Sequence, residues 1–174
     1  GVHLTGEVML ADNEDRMDWL RMVHARGRYL GMETELISVA EAAQKVPFLV
    51  EEHFVGALWD PVGGHVDPSG VTHAYATAAR MSGAEVYRNT WAYDIVANSD
   101  DTWDVVTEQG TITCEHVVNA AGSFARQVGE WVGLDLPIVN LKHHYLVTEN
   151  LPEVAALDKE PPVIRDPKAS CYYR

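Results

Sequence analysis

The stretch that most constrains the chain is Glu115 to Val132, EHVVNAAGSFARQVGEWV. Two apolar residues, Val117 and Val118, run into a corner of small side chains, Ala120, Ala121 and Gly122. After it, Ser123 is placed to cap a helix carrying Phe124, Val128, Trp131 and Val132 at helical spacing. A buried strand, a glycine turn and a helix start are therefore expected here. Such a corner lets a ligand approach the backbone closely, with helix N–H groups facing it. It can equally be a corner that only packs, since a lone glycine fingerprint is a weak signal.

Around that stretch the local signals alternate between strand and helix. Val8 and Leu10 mark a strand within Val2–Ala11, and Asp12 is placed to cap a helix with Glu14 and Asp15 in its first turn. Met17, Leu20, Val23 and Leu30 trace the buried side of that helix, and Gly31 stops it. Ser38 and Glu41 have capping-box spacing for a second helix ended by Pro47, and Phe54–Trp59 reads as a strand. Asp67–Pro68 opens a third helix, in which Val71, Ala74, Tyr75, Ala78 and Met81 form a stripe suited to packing on a sheet, with Gly83 at its end. Val86–Tyr87 and Trp91–Ala97 are strand candidates. A hairpin is expected between Trp103–Thr107 and Thr111–Thr113. Ile138–Thr148 reads as one long strand, and Asn150 with Glu153 as the cap of a brief helix. Val163–Ile164 and Cys171–Tyr173 read as closing strands. The class is mixed α/β.

Composition excludes several functions. A net charge of −13 argues against nucleic-acid binding as the main role. No apolar run reaches membrane-span length. Two cysteines, Cys114 and Cys171, form neither a disulfide framework nor a metal cluster, and point to a reducing compartment. The eight histidines lack H-x-x-x-H or paired-carboxylate spacing, so no metal site is expected. The chain opens on Gly1 and closes on Cys171–Arg174, a strand-like run, so a piece of a longer protein is expected.

Three segments in this order carry a family resemblance. They are GALWDPVGGHVDPSGVTHAYATAARMSGAEV (Gly56 to Val86), HVVNAAGSFARQVGEWVGL (His116 to Leu134) and LKHHYLVTENLPEV (Leu141 to Val154). Together they resemble the dimethylglycine and sarcosine dehydrogenase group of the D-amino-acid-oxidase-like FAD superfamily. The resemblance implies a two-domain FAD-linked reductase fold. Residues 61–134 would belong to the FAD-binding domain, and residues 1–60 and 135–174 to the substrate-binding domain. It implies oxidative demethylation of a small N-methyl amino acid with FAD as cofactor, and an electron-transfer protein as a partner. The family's G-x-G-x-x-G fingerprint and its FAD-linking histidine would precede Gly1, and a tetrahydrofolate-binding domain would follow Arg174. The fragment alone would then be inactive. A non-catalytic regulatory relative, or an FAD oxidase of another amine, also fits the resemblance.

The resemblance also nominates residues. His143 matches the active-site histidine that holds or deprotonates the substrate amine, and Tyr172 a tyrosine that faces substrate. Strand parity would put His143 and Tyr145 on one face and His144 on the other, and would likewise separate Tyr172 from Tyr173. Asn119, Ala120, Ala121 and Gly122 would lie by the FAD pyrophosphate or ribose, and the backbone of Ala92 by the adenine. Ordinary strand histidines and a packing tyrosine are the alternatives. His65, in GGHVDP, is read as structural, Cys171 as packing and Arg174 as solvated.

Overall fold

The computed structural model describes residues 1–174. In chain order the strands and α-helices are β1 (Val2–His3), β2 (Glu7–Ala11), α1 (Glu14–Tyr29), β3 (Glu35–Ile37), α2 (Val39–Lys45), β4 (Gly56–Asp60), β5 (His65–Val66), α3 (Pro68–Met81), β6 (Ala92–Ala97), β7 (Trp103–Thr107), β8 (Gly110–Cys114), α4 (Ala125–Trp131), α5 (Pro152–Ala155), β9 (Val163–Asp166) and β10 (Cys171–Tyr173). The chain forms two units, one of Gly1–Ala78 with Thr148–Arg174, the other of Ala79–Val147. No helix is long and apolar enough to cross a membrane.

The first unit is built on β2, the central strand of a mixed sheet ordered β10-β9-β2-β4-β3. Period-two alternation decides its packing. Val8 and Leu10 point to one face, where Ile37, Ala42, Val46 and Ala57 join them. Ala11 packs on the other face with Leu58 and the fully buried Leu20 of α1, flanked by Met9, Met17 and Val23. Each face thus receives one helix, α2 on the first and α1 on the second, and each side chain of Leu20's size is worth roughly 1.5–3 kcal/mol on burial.

The helix starts follow local rules. Ser38 Oγ accepts from the Glu41 N–H (3.2 Å) while Glu41 Oε2 accepts from the Ser38 N–H (2.8 Å), a complete capping box. Asp67 caps α3, accepting from the N–H groups of Ser69 (3.1 Å) and Gly70 (3.0 Å). For α1 the cap is Asn13 rather than Asp12, since Asn13 Oδ1 accepts from the Arg16 N–H at 2.8 Å. The run Val2–Ala11 is two strands, not one. Gly6 takes φ +82° between them, donating to Gly63 O (2.9 Å) and accepting from the Val163 N–H (3.0 Å).

The second unit holds a three-stranded antiparallel sheet, β6-β7-β8, with the expected hairpin between β7 and β8. Three sequence expectations fail for one physical reason. Ile138–Thr148 and Val117–Val118 carry no strand, and Val86–Tyr87 carries none either. No neighbouring chain runs alongside them to complete a ladder, and Val118 is left 87% exposed. The apolar stripe of α3 is likewise uncovered, with Tyr75 and Met81 exposed and no residue of the helix buried. The brief helix α5 starts after Leu151 with no side-chain cap, so Asn150 is not its cap.

Candidate functional site

The corner at Asn119–Gly122 is shaped by the Asn119 side chain, not by Ser123. Asn119 Nδ2 donates to Ala125 O (2.8 Å) and its Oδ1 accepts from the Ala121 N–H (3.3 Å), closing the loop from both sides. Gly122 sits at φ +55°, a left-handed conformation, and a Cβ there would meet nothing within 4 Å. A short 3-10 turn over Gly122–Phe124 then leads into α4, whose cap position is Phe124 with no side-chain bond. Ser123 therefore does not cap. Its carbonyl instead accepts from Asn140 Nδ2 at 2.9 Å.

Phe124 meets the edge of Trp91, ring centroids 5.7 Å apart at 78°. That contact brings the corner beside Ala92. Trp91 itself exchanges bonds with Glu108, its N–H donating to Glu108 Oε1 (3.3 Å) and its carbonyl accepting from the Glu108 N–H (3.1 Å). Ala92 pairs with Thr107 on the edge strand β6, and a register shift between Ala92 and Asp94 bends the strand there. Two segments nominated from sequence, at Ala92 and at Asn119–Gly122, are thus linked through Trp91–Phe124, and Asn140, three residues before His143, is bonded to the corner at Ser123.

These residues fit a group that lies against main chain. Asn119, Ala120 and Gly122 are exposed and Ala121 half-exposed, the side chains are small, and Gly122 adds no Cβ to the open space beside it. Arg126 is already engaged, by Glu130 (3.3 Å) and Asp135 (3.1 Å), so contact with an anion at the corner rests on backbone N–H groups.

His143 lies four residues from the boundary of this unit, exposed, in a segment without regular secondary structure. The parity that would separate His143 from His144 therefore does not operate, because no ladder fixes the pleat. Tyr145 is 88% exposed. Tyr172 belongs to the other unit, on β10, opposite Arg165 of β9 and 66% exposed. Its neighbour Tyr173 has its hydroxyl pushed above the usual tyrosine range, first by burial and then by Cys171 and Asp166. The Cys171 thiol donates to Ala169 O at 3.1 Å, and Arg174 is exposed.

One cluster escapes any reading of spacing. His3 and His65 are cross-strand partners in the β1–β5 ladder, their rings stacked 4.6 Å apart. Glu160 reaches both: Oε2 lies 2.8 Å from His3 Nδ1 and Oε1 lies 2.7 Å from His65 Nε2. The two imidazoles, His3 foremost, hold the Glu160 carboxyl below the usual glutamate range. Only the GGHVDP turn hinted at one member of the three.

Comparison with known proteins places this geometry in context. The family model described as DAO, FAD dependent oxidoreductase, matches residues 1–174. The chain is 37% identical over 174 residues to mitochondrial dimethylglycine dehydrogenase of Homo sapiens, covering 100% of this chain and 20% of that protein. It is 32% identical over 174 residues to mitochondrial sarcosine dehydrogenase of Mus musculus, covering 97% of this chain and 18% of that protein. The crystal structure of L-proline dehydrogenase from P. horikoshii superimposes with a TM-score of 0.73 at 26% identity, covering 80% of this chain and 37% of that one. The chain thus spans about a fifth of the length of the curated relatives it matches.

Proposed function

We infer function from one premise: this chain belongs to the FAD-dependent oxidoreductase family. The reading is that it is an internal part of an enzyme that oxidises the N-methyl group of a small amino acid, of the dimethylglycine or sarcosine type. The observation that supports this is 37% identity to a dimethylglycine dehydrogenase over 174 aligned residues. Residues 61–134 are assigned to the FAD-binding domain and residues 1–60 and 135–174 to the substrate-binding domain. That division follows cofactor and substrate, whereas the compact units follow contacts within the chain.

FAD, when bound, supplies the acceptor for the hydride equivalent that leaves the N-methyl carbon. The chain's own residues hold and prepare. The backbone at Asn119, Ala120, Ala121 and Gly122 would hold the pyrophosphate or ribose, and that of Ala92 the adenine. His143 accepts the proton of the substrate ammonium, because only the neutral amine has the lone pair that assists C–H cleavage. Tyr172, through its hydroxyl, donates to the substrate carboxylate. In the intact enzyme, water or tetrahydrofolate would take the one-carbon unit, and an electron-transfer protein would take the electrons. A mitochondrial matrix or cytoplasmic site of action accompanies this reading.

The test is the visible absorption spectrum of the full-length protein before and after adding sarcosine or dimethylglycine without air. Bleaching of a flavin spectrum is expected, and the faster substrate identifies itself. A flavin that stays oxidised with both refutes the substrate class, and a colourless folded protein refutes the flavoenzyme reading. In the same protein His143→Asn is expected to lower turnover and displace the pH profile; an unchanged profile removes His143 from the chemistry.

A further inference from the structure

We propose that His3, His65 and Glu160 form a binding site for a divalent transition cation, with zinc the best fit. Two imidazoles and one carboxylate are borderline donors, suited to zinc rather than to magnesium or calcium, which prefer all-oxygen sets. The three ligand atoms already converge, all within 4.8 Å of one another. A tetrahedral ion with bonds of 2.0–2.1 Å holds its ligand atoms about 3.3 Å apart, so rotations of the three side chains bring them into range.

The cluster is held in place by the fold. The β1–β5 ladder sets His3 directly against His65, and the Gly1 carbonyl accepting from the Asp67 N–H at 3.0 Å extends that pairing. The ladder closes only because residue 64 is glycine: a Cβ there would stand 2.0 Å from His3 O. Glu160 is delivered by Pro161 and Pro162, whose restricted backbone leads straight into the Val163 N–H bonded to Gly6 O. Ligands from residues 3, 65 and 160 would thus be joined by one ion.

Exposure suits exchange with solvent. The side chains of His3, His65 and Glu160 are 46%, 20% and 48% accessible, which leaves room for water at the remaining coordination position. On binding, the carboxylate gives up its two imidazole hydrogen bonds for a metal bond. The proton on each coordinating ring nitrogen passes to the other ring nitrogen or, from a charged ring, to solvent. The proposal does not rest on the flavin reading, because ligand set and geometry both lie in this cluster alone.

The experiment is calorimetric titration of zinc into the full-length protein after treatment with a chelator, in a buffer that does not bind zinc. One zinc per chain is expected. Glu160→Gln and His65→Gln are each expected to weaken it at least about tenfold, since even an outer-sphere partner is worth 10- to 100-fold. His73→Gln, on the exposed face of α3, serves as the control and is expected to bind as the parent does. Glu160→Gln keeps size and hydrogen-bonding capacity, so it reports on ligation even if His65→Gln fails to fold. X-ray absorption on the zinc-loaded protein is expected to show two imidazole nitrogens and carboxylate oxygen in the first sphere. Absence of one-to-one binding, or affinity unchanged in Glu160→Gln, overturns the proposal.

Discussion

Replacing Gly6 with alanine separates two costs that glycine avoids. Gly6 and Gly31 share the same backbone angle, φ +82°, so an added Cβ carries the same left-handed penalty at both, about 1–2 kcal/mol. They differ in what the Cβ meets. At Gly31 nothing lies within 4 Å, whereas at Gly6 the Cβ would stand 1.9 Å from Trp59 Cη2, 2.5 Å from Cζ3 and 2.8 Å from Cζ2. The indole must move, and it is not free to do so, since Lys45 Nζ lies 4.3 Å above the ring. The Gly6 backbone is also committed at both its N–H and its carbonyl. Overpacking of this kind costs about 1–3 kcal/mol, so Gly6→Ala should destabilise by about 2–5 kcal/mol and Gly31→Ala by about 1–2 kcal/mol. Urea unfolding followed by tryptophan fluorescence measures both, and the native emission of Gly6→Ala should also change as Trp59 is displaced. Equal losses in the two variants would refute the assigned contact between Gly6 and Trp59.

Two further outcomes are expected. Ser38→Ala removes the cap of α2 and should cost about 1 kcal/mol in the same unfolding assay. The Ser38 hydroxyl, and next its N–H, hold the Glu41 carboxyl below the usual glutamate range. The contribution of this carboxylate is therefore complete above the ordinary glutamate range and is lost as pH falls through the lowered value. Ser38→Ala should flatten that acid limb, and an unchanged pH dependence would dismiss the box as its source. Asn119→Ala removes both bonds that close the corner, about 1 kcal/mol each. Peptides covering Ala121–Ala125 should then exchange hydrogen for deuterium faster while the β7–β8 hairpin does not; unaltered protection at the corner would count against Asn119 as its organiser.

Features set by a few adjacent residues were readable from the amino-acid order. The Ser38–Glu41 box, the Asp67–Pro68 helix start, the hairpin between Trp103–Thr107 and the strand after it, and the alternation of Val8 and Leu10 each depend on partners close in sequence or on a fixed period. The family could be read from three segments in register, and the whole-chain match agrees. The corner at Asn119–Gly122 is legible as a glycine turn, but the side chain that closes it is not. Either Ser123 or Asn119 can bond backbone, and only the folded loop shows that Asn119 does.

What depends on distant partners was decided by tertiary structure. A strand is a relation between two segments, so the apolar run Ile138–Thr148 has β composition and no ladder, and the side-chain parity drawn for His143 goes with it. Trp91 and Phe124 are thirty-three positions apart in the chain, a separation that no local periodicity encodes. His3, His65 and Glu160 converge from three separated segments because β1 pairs with β5 and β9 enters the sheet beside β2. Local rules act through the neighbouring backbone, whereas a site of this kind exists only once sheet pairing has brought its donors within bonding distance.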